Sequence, residues 1–120
     1  MYYLLENNRI IDSEISYTTN FPYWEIKDNC LFAKSKNDKL VRPCNENKIK
    51  KQSENVYDLI EFGDLVQTNY GSLRDVRGIQ SDSVVIQYDC CIYFENIIAI
   101  YKLDANGNYI KVWEKKDESN

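Results

Sequence analysis

The sequence predicts an all-β fold, or a β-rich fold with one short helical turn, built as a small SH3-like barrel or sandwich with N-terminal hairpins. Short apolar segments recur at a spacing of roughly 8–12 residues, with turn-forming residues between them. No segment carries the helical apolar period for long enough to form a stable helix. The chain has 120 residues, of which 43% are hydrophobic, and this is sufficient for a packed core.

The sequence divides into three predicted regions. We expect residues 1–52 to form an N-terminal β-hairpin region and residues 53–114 to form the SH3-like core. Residues 115–120 are charged and are expected to form a tail.

The first hairpin is expected to turn at Asn7 and Asn8. Asparagine tolerates the positive φ that both positions of a two-residue type I′ turn require. This register places Leu5 opposite Ile10.

A second hairpin is expected around a two-residue turn at residues 28–29. Pairing outward from that turn places Ile26 opposite Leu31 and Trp24 opposite Ala33. All four side chains then share one face, which we expect to be buried.

The densest apolar stretch in the middle of the chain is residues 54–66, and one glycine interrupts it. Residues 54–62 have turn-like apolar spacing, and the Ser53 hydroxyl could cap them by accepting from a free backbone N–H. Gly63 marks a corner because a residue without Cβ can take the dihedrals of a sharp reversal. Residues 64–68 then alternate as a strand does.

The basic loop ahead of this stretch, residues 35–53, is expected to contain at most a short strand at residues 40–41. Beyond it, further strands are predicted at residues 73–80, 84–89, 92–94 and 97–103. Gly78 should mark a bulge or a close approach of two backbones, and residues 97–103 should be central because they are the most apolar.

The last hairpin has two possible registers. A two-residue turn would place Lys102 opposite Lys111, which is repulsive. A three-residue loop at residues 105–107 fits a type I turn and pairs Ile100 with Val112, so we prefer it.

Charge is unevenly distributed in a chain whose net charge is -4. The acidic excess lies in the second half, whereas residues 34–51 hold seven basic and two acidic side chains. These basic residues are the candidate binding surface: Lys34, Lys36, Lys39, Arg42, Lys48, Lys50 and Lys51. No aromatic residue lies among them, so a base-stacking side chain would have to come from elsewhere, such as Phe32 or Tyr57.

Catalytic and metal-binding patterns are missing from the sequence. Histidine is absent, which removes the commonest general base and metal ligand. The four cysteines include no C-x-x-C pair and are expected to be free thiols. Acidic residues, including Glu61 and Asp64, are ungrouped and expected to be solvated. We therefore expect no enzyme activity, no cofactor and no metal.

Location is expected to be the cytoplasm. The first residues lack the basic segment of a signal peptide, and no apolar run approaches the length of a membrane span.

Residues 55–66, NVYDLIEFGDLV, resemble a segment found in small proteins of phages and mobile elements in low-GC anaerobic bacteria. The stretches LLENNRIID, IKDNCLF and IIAIYKLDANGNYIKVWE resemble the same group in similar order, so the resemblance covers most of the chain. The group has no agreed activity or catalytic residues. This chain departs from it by carrying Phe62 where smaller residues are common, and by its long basic loop.

The resemblance implies a phage-type protein, anti-CRISPR-like, that binds and occludes a host or defence protein. The acidic second half could enter a basic nucleic-acid channel on such a partner, because complementary potentials favour association. The alternative is a small nucleic-acid-binding module that uses the basic residues of the 34–51 loop.

Overall fold

The computed structural model describes residues 1–44 and 46–116, so most of the predicted tail, residues 117–120, lies outside the described part. The chain forms two compact units, an N-terminal unit, Met1–Leu59, and a C-terminal unit that begins at Ile60. The division predicted between residues 52 and 53 falls inside a strand, Ile49–Ser53, and the structure places it after Leu59. The predicted all-β class is confirmed, but the sheets do not close into a barrel in the described residues.

The N-terminal unit contains two antiparallel three-stranded sheets, with strand orders β2-β1-β6 and β3-β4-β5. Its strands are β1 (Tyr2–Leu5), β2 (Ile10–Asp12), β3 (Tyr23–Lys27), β4 (Cys30–Lys34), β5 (Leu40–Val41) and β6 (Ile49–Ser53). Tyr3, Leu5, Leu31 and Ile49 form a buried cluster that draws on both sheets.

Strand β6 was expected to be loop, and that expectation was wrong. Its residues after Ile49 are polar, and Lys50 and Lys51 are exposed, so no apolar alternation marks the strand. It forms because its backbone pairs with β1, with Tyr2 opposite Ser53. The short strand predicted at residues 40–41 is confirmed as β5.

The first hairpin has a three-residue loop, so the predicted two-residue turn and the pairing of Leu5 with Ile10 were wrong. Leu4 pairs with Ile10, and the Leu5 amide donates to the Arg9 carbonyl at 2.9 Å. Only Asn8, with φ of 69°, takes a positive φ in this loop. Leu4 and Leu5 point to opposite faces of β1, and both are fully buried. Because both faces are apolar, the side-chain pattern does not select between registers that differ by one residue.

The second hairpin has the predicted turn and register. Asp28 and Asn29 both have positive φ, as a type I′ turn requires. Leu31 lies opposite Ile26, as predicted. Leu31 and its β4 neighbour Ala33 are fully buried, but Ile26 is 46% exposed because β3 is an edge strand, so the predicted face is buried only in part.

The predicted helical turn is a 3-10 turn over Val56–Leu59, shorter than residues 54–62. The Ser53 hydroxyl accepts from the Asn55 amide at 3.1 Å, as expected of a cap. The Asn55 side chain in turn accepts from the Tyr57 amide at 3.0 Å. Two polar side chains therefore satisfy donors that a short turn leaves free.

The C-terminal unit contains a four-stranded sheet, order β13-β12-β7-β8, and a three-stranded sheet, order β11-β10-β9. Its strands are β7 (Leu65–Thr68), β8 (Leu73–Asp75), β9 (Gly78–Ile79), β10 (Ser83–Val85), β11 (Cys91–Tyr93), β12 (Ile97–Leu103) and β13 (Tyr109–Glu114). The prediction that residues 97–103 form a central strand is confirmed, since β12 lies between β13 and β7.

Two predicted strands of the C-terminal unit are interrupted. The segment 73–80 divides into β8 and β9, and a Cβ on Gly78 would lie 3.3 Å from the Val85 Cβ, which confirms the expected close approach. The segment 84–89 ends as a strand at Val85, because Tyr88 and Asp89 both take φ of 59° in the turn that follows.

The predicted three-residue loop of the last hairpin is confirmed. Asp104 and Asn108 close it with a 2.8 Å backbone hydrogen bond, and Gly107 has φ of 80°. The expected pairing of Ile100 with Val112 was wrong, because a bulge shifts the register and Ile100 pairs with Trp113.

No helix in residues 1–44 or 46–116 combines the length and apolar character needed to cross a membrane.

Alkaline pH should destabilise the N-terminal unit through Tyr3. Burial raises the pKa of the Tyr3 phenol above 10.0, and the nearby Glu54 carboxylate adds to the shift. A folded-state pKa above the unfolded value gives stability that is present below about pH 10 and is lost as the pH rises through the folded pKa.

Tyr3→Phe should therefore reduce the loss of stability between about pH 9 and about pH 11, measured by urea unfolding and far-ultraviolet circular dichroism. The matched control is Tyr23→Phe, because Tyr23 is exposed. An equal alkaline loss in the wild type and in Tyr3→Phe would contradict the prediction.

Candidate functional site

Four of the seven predicted basic residues lie near the two ends of strand β4. Lys34 ends β4, and Lys36 and Lys39 lie in the turn that follows it. At the other end, Lys48 bridges to Cys30, the first residue of β4. The remaining members of the set are Arg42, which follows β5, and Lys50 and Lys51 in β6.

The two ends of β4 are about 13 Å apart, given a rise of about 3.3 Å per residue over four steps. Lys36 and Lys39 therefore lie near one end of β4 and Lys48 near the other. Some of the charges also have local roles, since the Lys51 ammonium donates to the Asp58 carbonyl at 2.7 Å.

Neither aromatic residue that was considered for base stacking lies beside Lys36 and Lys39. Phe32 is in the middle of β4 opposite Glu25, and Tyr57 is in the 3-10 turn. The aromatic side chain that shares a groove with these lysines is Phe21, from the loop before β3. Phe21 lies outside the basic window, so a search within that window could not find it.

The sharpest feature of the C-terminal unit is the turn Glu61–Asp64, which we call the corner. The Asp64 amide donates to the Glu61 carbonyl at 3.1 Å, and Gly63 at the third position has φ of 91°. These are the features of a type II turn, in which the third residue needs a positive φ. The corner predicted at Gly63 is confirmed.

Several contacts from other strands fix the corner. The Gly63 amide donates to the Val76 carbonyl at 2.9 Å, and the Val76 amide donates to the Asp64 carbonyl at 2.8 Å. The Tyr109 hydroxyl, on β13, donates to the Gly63 carbonyl at 2.8 Å. Segments distant in sequence thus hold a four-residue turn from both sides.

A buried ion cluster lies directly beneath the corner. The ammonium of Lys102, on β12, lies 2.6 Å from Asp64 Oδ2 and 3.0 Å from Glu61 Oε1, and Lys102 has no exposed surface. Asp64 Oδ2 also accepts from the Glu61 backbone amide at 2.8 Å. The expectation that Glu61 and Asp64 are solvated, ungrouped acids was wrong for this pair, because strand β12 brings a lysine to them.

Desolvation dominates the electrostatics of Asp64. Burial raises the pKa of its carboxyl above the usual 3.8, although the Lys102 ammonium and the Glu61 amide both act to lower it. Burial of this carboxylate therefore has a desolvation cost that its partners offset in part. Removal of one partner would leave an uncompensated buried charge, so the cluster constrains the conformation of the corner.

Lys102 cannot act on a substrate where it stands, since a fully buried amine is not accessible to one. Its role is to position the turn.

The corner carries an exposed apolar surface, which we call the corner patch: Phe62, Leu103 and Tyr109. Phe62 is 76% exposed although it lies inside the fixed turn. Leu103 pairs with Tyr109 across β12 and β13, and both side chains are exposed. The Tyr109 hydroxyl reaches the carbonyl of Gly63, the neighbour of Phe62, so Tyr109 lies against the turn and Leu103 lies opposite Tyr109 on β12.

Exposed apolar side chains are concentrated in the C-terminal unit. Outside the corner patch, its exposed large apolar residues are Tyr70, Leu73, Ile79, Tyr88 and Tyr93. Tyr88 is 89% exposed in the β10–β11 turn, at a φ that a bulky residue rarely adopts.

All four cysteines are free thiols. Residues 1–44 and 46–116 contain no group of three or more His, Cys, Asp and Glu side chains that could hold a metal ion.

Comparison with known proteins gave no match to any family model, curated protein or solved structure.

Removing the buried ammonium should destabilise the C-terminal unit. Lys102→Met leaves the buried Asp64 carboxylate with only an amide as a close partner, and breaking a buried ion pair costs about 3–5 kcal/mol. The measurement is the free energy of unfolding from urea titration at neutral pH.

The matched control is Lys111→Met on the neighbouring strand, where the ammonium is exposed and pairs with Glu114 at the surface. Its cost should stay within about 0.5 kcal/mol. A Lys102→Met loss no larger than that of the control would show that the cluster does not constrain the fold.

Proposed function

We propose that this chain is a non-enzymatic interaction protein that binds another protein through the corner patch and inhibits it by occlusion. The observation that carries the proposal is Phe62, which is 76% exposed on a turn fixed by hydrogen bonds and by a buried ion cluster. A large aromatic side chain on a fixed backbone loses less conformational entropy on binding than one on a mobile loop.

The composition of the patch supports a protein partner. Binding hot spots are enriched in aromatic side chains that fill a pocket on the partner, surrounded by contacts that exclude water. Phe62 is such an anchor, and Leu103 and Tyr109 provide apolar surface beside it. Tyr109 also holds the corner through Gly63, so the patch and its support share one residue.

Charge indicates what kind of partner would fit. From residue 61 onward the chain carries ten acidic and six basic side chains. A surface with this excess complements a basic surface, such as the nucleic-acid channel of a host or defence effector. Occlusion of that channel would inhibit the effector without any catalytic group on this chain.

The proposal can be tested by capture from host lysate with the tagged full chain, with and without nuclease treatment. We expect one stoichiometric protein that survives nuclease. Recovery of nucleic acid alone, lost after nuclease, would overturn the proposal and favour the nucleic-acid-binding alternative.

Phe62→Ala should weaken binding of the captured protein by about tenfold or more, because truncation of a hot-spot aromatic residue costs about 2 kcal/mol or more. Affinity is measured by calorimetry with the purified partner. Tyr109→Phe should weaken binding less, since it removes only the hydrogen bond to Gly63.

The matched control is Tyr70→Ala, which removes an aromatic side chain that is 89% exposed in the β7–β8 turn. All three variants should unfold at nearly the wild-type urea concentration. If Tyr70→Ala weakens binding and Phe62→Ala does not, the corner patch is not the binding surface.

A further inference from the structure

A groove of about 440 Å³ opens in the N-terminal unit. One wall is the loop before β3, with Thr19, Asn20 and Phe21, and the other is the β4–β5 turn. The turn contributes Ser35, Lys36, Asn37 and Lys39. This volume lies within the range of about 300–1,000 Å³ that is typical of small-molecule sites.

The groove is positively charged because the turn separates its own charges. Lys34 pairs with Asp38 at 3.2 Å and with Glu25 at 3.7 Å. Asp38 is thus engaged away from Lys36 and Lys39, whose ammonium groups form no ion pair with any residue in the described part of the chain. No carboxylate lines the groove, so two lysine charges face it within an acidic protein.

Hydrogen bonds fix the β4–β5 wall. The Ser35 hydroxyl oxygen accepts from the Lys39 amide at 3.0 Å and from the Asn37 amide at 3.3 Å. Because the oxygen serves as acceptor twice, its own proton remains available to donate to a ligand.

The opposite wall is also fixed. The Phe21 amide donates to the Thr18 hydroxyl at 3.2 Å and to the Thr18 carbonyl at 3.1 Å. Further back in this loop, the Trp24 indole donates to the Ile15 carbonyl at 2.9 Å. Both walls therefore exist before any ligand arrives, which lowers the entropic cost of binding.

We propose that this groove binds a nucleotide, with the phosphate held by Lys36, Lys39 and Ser35 and the base stacked on Phe21. Ammonium and hydroxyl donors match the oxygens of a phosphate group. An aromatic face matches any base, since stacking does not depend on base identity. The Asn20 and Asn37 amides offer both donors and acceptors to the base edge or the sugar. The site is independent of the corner patch and of the function proposed for it.

Two sources could supply this chemistry, a free nucleotide or one nucleotide of a single strand. Titrations of the full chain, followed by amide chemical shifts at low salt, should use dTMP, thymidine, inorganic phosphate and the tetranucleotide (dT)4. We expect saturable binding of dTMP, with shifts in residues 18–21 and 35–39. Tighter binding of (dT)4 would identify a strand segment as the ligand, and equal affinity would identify the free nucleotide.

The variant Lys36→Gln/Lys39→Gln should weaken dTMP binding by about tenfold or more, because two charge-assisted contacts are lost. Both side chains are exposed, so the fold should be retained. Phe21→Leu should weaken binding of dTMP but leave the affinity for inorganic phosphate unchanged. The matched control Lys27→Gln/Lys111→Gln removes the same charge from exposed positions outside the groove and should bind dTMP within about twofold of wild type.

Three results would overturn the proposal. The first is the absence of saturable binding of dTMP, AMP, GMP and CMP up to about 10 mM. The second is that thymidine, or inorganic phosphate, binds as tightly as dTMP does. Such a result would exclude a joint role for phosphate and base. The third is an equal loss of affinity in the control variant, which would show an effect of net charge alone.

Discussion

The C-terminal unit depends on a single ammonium group that has no contact with solvent. Lys102 lies on the central strand β12 and binds Asp64 and Glu61 at the two ends of the corner turn. Burial raises the pKa of the Asp64 carboxyl, so this charge is costly to remove from water. A buried ammonium without a carboxylate partner is uncompensated, so Lys102 favours the one packing of sheet and turn that provides its partners. Selection of one arrangement over others is the best-supported use of buried charge.

This constraint connects the interior to the surface. The residues that fix the corner, Lys102 and Tyr109, belong to neighbouring strands, and the residue they present, Phe62, belongs to neither. Exposed aromatic side chains in mobile loops lose entropy on binding, whereas Phe62 has a fixed backbone already. The backbone is thus fixed at the residue that the proposed interaction surface presents.

The N-terminal unit uses charge differently. Its β4–β5 turn pairs one lysine, Lys34, with two carboxylates and leaves Lys36 and Lys39 to a polar groove. The corner patch is apolar and aromatic, whereas the groove is cationic and rich in hydrogen-bonding groups. Two chemically distinct surfaces therefore occur on one short chain, and each is supported by its own set of backbone hydrogen bonds.

The sequence by itself determined the β class, the turn at residues 28–29, the Gly63 corner, the loop at residues 105–107 and the strand at residues 97–103. These are local properties, set by turn chemistry and by the alternation of neighbouring side chains. Only the tertiary structure decided that β6 is a strand, that Lys102 is buried between two acids, and that Phe21 and Lys36 line one groove. Each of these depends on a partner distant in sequence, and a residue's pattern of neighbours holds no information about which distant segment will pack against it.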